Sequence, residues 1–261
     1  MNVFQGAILG IVQGVTEFLP VSSSGHLVLV KKIMGVSSPL SFEIALHAAT
    51  LLAVVAVMWK DVWGILRKPF SKLTGLILAA CIPSFLIGFF FQDLIESIFQ
   101  SGKTLGLEFM LTGAALLLAE NLSAKKRLRN MGELGAGEAL FIGTAQGLAI
   151  LPAISRSGFT MAAGLMTGLR REEAVRFSFL LSIPVIAGAA LFDGLKWLTG
   201  QVDLGVPLPS MAAGLMTAGI SGYIAARWML RIFTHKGMRP FAFYVFAMGI
   251  LSLALILTGV I

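Results

Sequence analysis

Gln13, Glu17, Ser23, His26 and Arg156 are groups capable of chemistry, and each stands in or beside an otherwise apolar stretch. A charged side chain among apolar residues is costly and usually kept for function. Gln13 and Glu17 are four residues apart, so a helix sets both on one face. That face offers an amide oxygen and a carboxylate. Mg2+ takes one or two carboxylates together with phosphate oxygens of a bound substrate. The same carboxylate can instead serve as a simple ion-pair partner for Arg156. Ser22-Ser23-Ser24-Gly25-His26 supplies hydroxyls and backbone N–H groups where the chain re-enters a helix, and helix N-termini and turn amides attract anions. Ser155-Arg156-Ser157-Gly158 repeats the arrangement and adds a guanidinium suited to two-point phosphate recognition. Either serine run alone reads as a helix cap. Together, with one Arg, one His and one Glu, they read as a phosphate site in which His26 can act as general acid, base or nucleophile. Glu43 and His47, also four apart, are secondary candidates for the same cavity, whereas His235 falls in a basic loop and reads as solvated.

The elements that must position these groups belong to a membrane. Apolar types make up 57% of the 261 residues and charged types 13%, about half the charged share of a soluble domain. This excludes an ordinary soluble enzyme, and the net charge of +7 is first a loop signal, not a nucleic-acid footprint, so no nucleic-acid partner is expected. The single cysteine, Cys81, permits no disulfide within the chain and reads as a packing residue. The first twenty residues lack a basic start and are interrupted by Glu17, unlike a signal peptide. Six stretches are long and apolar enough to span, near 42–59, 73–92, 104–120, 174–192, 209–230 and 240–261. Residues 3–30 and 138–168 are each broken by Pro, Gly and a Ser cluster, leaving halves too short to cross. They read as re-entrant hairpins, whose non-helical tips must be buried in protein or line a wet cavity. Fifteen of the 20 Lys and Arg lie in loops near 60–72, 121–135, 169–176 and 227–239, against Lys31, Lys32, Lys103 and Lys196 on the other side. The first set is therefore cytoplasmic, facing anionic headgroups.

Gly10-Ile11-Val12-Gln13-Gly14 matches Gly143-Thr144-Ala145-Gln146-Gly147 at an offset of 133, and the same offset pairs the two serine runs. Three spans follow each copy, an odd number, so the second copy is inverted relative to the first. The expected fold is an all-α polytopic membrane protein with an inverted-topology repeat: a first repeat at 1–130 and a second at 131–261 in one membrane domain, six transmembrane helices plus two re-entrant hairpins whose tips meet near mid-depth. With 29 Gly, the helices can pack closely within or between chains, which admits a homodimer.

The run from Gln13 through Glu17 and Ser22-Ser23-Ser24-Gly25 to His26 closely resembles the first signature of the bacterial undecaprenyl-diphosphate phosphatases, also called bacitracin-resistance proteins. Leu151-Pro152-Ala153-Ile154-Ser155-Arg156-Ser157-Gly158-Phe159-Thr160 resembles their second, with further similarity at Phe42-Glu43, at Glu138 and from Arg176 to Pro184. The resemblance covers nearly the whole chain. Ala153 and Phe159 depart from the usual Gly and Ala, and the bulk of Phe159 narrows the expected pocket. The resemblance implies removal of the terminal phosphate of undecaprenyl diphosphate, regenerating the carrier lipid of cell-wall synthesis. It also implies residence in the bacterial plasma membrane, a Mg2+ or Ca2+ requirement and a site open to the periplasmic side. Gln13 and Glu17 then match the metal motif, Arg156 the phosphate-binding arginine, Ser23 and His26 the catalytic region. Ser22, Ser24, Gly25, Ser155, Ser157 and Thr160 are expected to contact phosphate. Ser23 is favoured as nucleophile with His26 as its base; attack by His26 itself, or by a metal-activated water, is the rival. From a different class, a polyprenyl-phosphate flippase fits an inverted repeat with broken helices. A channel fits poorly, because few charges are available to line a pore.

Overall fold

The chain is seen as a computed structural model that describes residues 1–91, 94–95, 97–98, 102–123, 128–199 and 205–259. Among these, the α-helices are α1 (Val3–Glu17), α2 (Ser23–Ile33), α3 (Leu40–Val57), α4 (Trp59–Arg67), α5 (Lys72–Phe90), α6 (Leu105–Ser123), α7 (Ala136–Leu148), α8 (Arg156–Met166), α9 (Arg171–Leu198), α10 (Leu208–Lys236) and α11 (Arg239–Leu257). Their starts follow local chemistry. Asn2 and Gln5 form a reciprocal capping box at α1, Ser71 caps α5, and α10 and α11 carry Pro209 and Pro240 in the first turn, where a missing N–H costs little.

α3, α5, α6, α9 and α11 are long and apolar enough to cross a bilayer. The chain is thus a multi-pass membrane protein with large apolar side chains such as Leu52, Phe85 and Phe243 left on the outside. The stretch 209–230, expected as a span, forms α10, a helix of 29 residues that does not reach the same apolarity. Its Gly, Ala and Ser content explains this, because those residues pack a neighbour at close range. A Cβ on Gly6, Gly10 or Gly14 of α1 would run into the backbone carbonyls of Ser210, Gly214 and Ala218 of α10. α7 leans on α5 in the same way: Gly143 lies against the Ala80 carbonyl and Gly147 against Ser84 and Ile87. Small residues every fourth position let two helix backbones approach.

The stretch expected as a plain loop at 60–72 begins instead with α4. Its Trp59 and Trp63 rings stack at 5.7 Å and Arg67 covers Trp63 at 5.0 Å, the chemistry of a helix lying along a membrane surface. At the same end of the molecule Arg176 pairs with Asp61 and Glu173, Arg171 pairs with Glu120, and Glu120 also accepts the Met238 N–H at 2.9 Å. Lys125, Lys126, Arg127 and the Lys196 side chain, used above in the charge count, lie outside the described residues, as do 92, 260 and 261 at the ends of two expected spans.

Candidate active site

Both broken segments resume helix at the same register, Ser23 and Arg156 being 133 residues apart. α1 ends at Glu17 and α2 begins at Ser23; α7 ends at Leu148 and α8 begins at Arg156. By rise alone these helices, with 15, 11, 13 and 11 residues, are too short for a hydrocarbon core of about 30 Å. Ser22 caps α2 by accepting the Gly25 N–H at 3.3 Å, and Ser155 caps α8 by accepting the Gly158 N–H at 3.0 Å. Ser22 takes φ 69°, a left-handed conformation that costs a residue with a side chain on the order of 1 kcal/mol. Its hydroxyl also donates to the Pro152 carbonyl at 2.8 Å, which holds it there.

The tips are joined reciprocally. Ser24 donates to the Pro152 carbonyl, and Ser157 donates to the Leu19 carbonyl at 2.7 Å. Donor and acceptor in one bond are each 133 positions from their counterparts in the other. α6 cradles the second tip from the side: Glu108 accepts the Ala153 N–H at 2.7 Å, and Thr112 accepts the Ser155 N–H at 3.1 Å while donating to the Ala153 carbonyl at 3.2 Å. Glu108 and Thr112 were not singled out from the sequence. Their signal was a carboxylate inside an apolar span with a hydroxyl one turn on, the same logic that singled out Glu17.

Glu17, 4% exposed, is where the two tips meet chemically. Its Oε1 pairs with the Arg156 guanidinium. Its Oε2 accepts from Ser23 Oγ at 2.6 Å and from Gln13 Nε2 at 2.9 Å, and lies 3.4 Å from His47 Nε2. His47, ranked second from the sequence, is thus beside the carboxylate. Glu43 turns to Lys31 instead. His26, expected to take the Ser23 proton, makes no hydrogen bond with Ser23 and bonds other partners. Its Nδ1 donates to the Ser22 carbonyl at 2.6 Å, since only an N–H can satisfy a carbonyl, and its Nε2 meets the Tyr244 hydroxyl of α11 at 2.8 Å. The ring instead stacks on Tyr244 and meets the edge of Phe109. Tyr244 escaped the sequence reading because nothing local marks it.

Within the two serine clusters, the Ser23 hydroxyl is the one bonded to the carboxylate. Ser22, Ser24, Ser155 and Ser157, expected at phosphate, spend their hydroxyls on caps and tip-to-tip bonds. Gly25 gives its N–H to Ser22 and packs so tightly on Phe109 and Ala153 that a Cβ would lie 2.7 Å from the Phe109 ring. Thr160 faces Ser178 of α9 at 2.6 Å. Phe159 does not narrow the polar cluster; its ring lines a separate apolar groove with Leu111 and Ile154.

A divalent cation has suitable donors here. Gln13 Oε1 is buried with no hydrogen-bond partner, beside the Glu17 carboxylate that its own Nε2 contacts. An orphaned oxygen next to a carboxylate suits a hard cation. Among the described residues no three His, Cys, Asp or Glu side chains cluster as a metal cage, so such an ion would rely on substrate oxygens for the rest of its shell.

Fold and site define a class: an all-helical, multi-pass membrane protein whose carboxylate, arginine and serine converge where two broken helices meet. The chain matches the bacitracin resistance protein BacA family over residues 6–251, and it belongs to that family. It is 45% identical over 261 residues to an undecaprenyl-diphosphatase of Carboxydothermus hydrogenoformans, covering 99% of each chain. It is 40% identical to one of Pelobacter propionicus, covering 100% of this chain and 99% of the relative, and 40% identical to undecaprenyl-diphosphatase 4 of Bacillus thuringiensis subsp. konkukian, covering 100% of both.

Proposed function

We propose that this protein hydrolyses undecaprenyl diphosphate to undecaprenyl phosphate and inorganic phosphate. Beyond the family, one observation carries the reading: a serine hydroxyl and an arginine from opposite tips converge on one buried carboxylate. Phosphoryl transfer needs a positioned nucleophile and fixed positive charge at the equatorial oxygens. Ser23 Oγ attacks the terminal phosphorus, the bond to the bridging oxygen breaks, and undecaprenyl phosphate leaves. Glu17 Oε2, at 2.6 Å, is the group placed to take the serine proton. Arg156 exchanges Glu17 for the phosphoryl oxygens, and water then releases phosphate from the serine. Gln13 and Glu17 would hold the Mg2+ or Ca2+ ion, which when bound draws charge from the diphosphate.

One observation favours a second assignment. Because His26 Nδ1 is tied to a carbonyl, its Nε2 carries the lone pair, which accepts the Tyr244 hydroxyl in the resting site; released from Tyr244, the imidazole is a rival nucleophile. Trapping the phosphoenzyme and locating the label decides between them: label on Ser23 is expected, label on His26 transfers the role, and no covalent intermediate leaves water as attacker.

The membrane arrangement in this reading is an inverted repeat, residues 1–130 and 131–261. Its two hairpins enter from opposite faces, α10 is the sixth span, and the site opens to the periplasmic side. The short broken helices, the reciprocal Ser24 and Ser157 bonds and the lysines and arginines massed at one end support it. The deciding experiment is phosphate release from purified protein given undecaprenyl diphosphate, with and without a chelator. Chelator-sensitive release is expected; transport of the lipid without release would replace a hydrolase with a flippase.

A further inference from the structure

Outside the polar cluster the protein carries an open apolar groove of about 660 Å3, lined by α6 residues Leu111, Ala115 and Leu118, by Leu151 and Ile154 of the second tip, and by Phe159 of α8. Its position in the repeat is informative. Phe159 is 133 residues after His26, and Tyr244 is 133 after Leu111. The groove is therefore the counterpart, in the other half, of the wall where His26 meets Tyr244. One copy of that wall is polar and aromatic; the other has become wholly apolar. Its tip residues are continuous with the site, because Ile154 directly precedes Ser155 and Arg156, and the Pro152 carbonyl between Leu151 and Ile154 accepts from Ser22 and Ser24.

We infer that this groove holds the distal part of the substrate's isoprenoid chain. The inference rests on the hydrolase reading and on the inverted arrangement proposed with it. If the tips lie near mid-depth, about 15 Å of hydrocarbon separates them from either surface. A chain of eleven isoprene units is longer than that, so with the diphosphate at the site it has the reach to extend into the opposite half of the membrane. Inversion directs the Phe159 groove towards that half, while the His26–Tyr244 wall faces the other. A preformed apolar lane also lowers the ordering cost of a flexible chain on binding. The small side chain of Ala115 leaves the lane open at its middle.

The test compares two substrates, an eleven-isoprene and a three-isoprene diphosphate. The shorter chain, with eight fewer isoprene units, occupies only the near end of the lane. Ala115→Trp, which fills it, is expected to lower kcat/KM for the long substrate about tenfold or more, through KM, and to leave the short substrate within about twofold. Leu118→Trp repeats the block one turn on. A folded variant that keeps long-chain kcat/KM, or loses both substrates equally, overturns the inference. Should neither variant fold, an eleven-isoprene diphosphate with a diazirine near its distal end is cross-linked to the wild-type protein: label between Leu111 and Leu118 is expected, and label confined elsewhere overturns it. Wild-type protein that hydrolyses neither substrate defeats the hydrolase reading instead.

Discussion

Arg156 and Glu17 hold each other in the resting site, so each can be tested only by a change that spares the fold. Lys keeps the charge of Arg156 but loses the planar two-point grip on phosphate oxygens. Removing one donor to developing negative charge costs about 10²–10³ in rate. Arg156→Lys is expected to lose at least that much kcat and Arg156→Ala more, with smaller losses in lipid binding measured on the same preparations. Glu17→Gln keeps the shape and an acceptor for Arg156, avoiding the larger cost of leaving a buried charge unpaired. It is expected to remain folded and lose most turnover. Near-normal turnover with unchanged chelator sensitivity would make the carboxylate a structural partner of Arg156 only.

At the scale of elements, the tips are positioned by helices that pack backbone to backbone. Gly10 has no room for a side chain: its Cβ would meet the Gly214 carbonyl, which cannot rotate away. Gly10→Val is expected to cost more than the roughly 1–3 kcal/mol typical of an overpacked core, seen as a lower unfolding temperature in detergent and loss of activity. Gly75, with open space around its Cβ position, is the control: Gly75→Ala is expected to unfold at the parent temperature or slightly above, since it removes a flexible residue from a helix interior. An unchanged melting temperature for Gly10→Val would mean that α1 and α10 lie further apart than described.

For the whole molecule, the arrangement in the bilayer fixes which ends meet which solvent. Cys81→Ser provides a cysteine-free background, and single cysteines at Lys32 and Lys68 lie on opposite sides of the expected topology. A membrane-impermeant thiol reagent added to intact cells is expected to label position 32 and spare position 68 until the membrane is opened. The reverse pattern would turn the protein over, and labelling of both would break the inverted-repeat arrangement. The ion pairs joining Asp61, Arg171, Arg176 and Glu120 would then sit in the cytoplasm, tying the halves together on the side away from the proposed opening.

The sequence alone determined the all-helical membrane class and the places where the helices break, and it singled out Gln13, Glu17, Ser23, His26 and Arg156 as candidates for the chemistry. Apolarity, periodicity and rare polar groups in hydrocarbon are local signals, readable without a fold. It could not decide partners, because partnership depends on contacts between segments far apart in the chain. His26 faces Tyr244 because the fold brings residues 218 positions apart within hydrogen-bond reach, which no local spacing records. The same reason hid Glu108 and Thr112 beneath the second tip and made α10 look less apolar than a span: its small residues answer to the backbone of α1. Tertiary structure also separated the serines that share a motif, giving Ser23 the carboxylate and leaving Ser22, Ser24, Ser155 and Ser157 to join the tips, since a hydroxyl bonds whichever acceptor the packed backbone puts in reach.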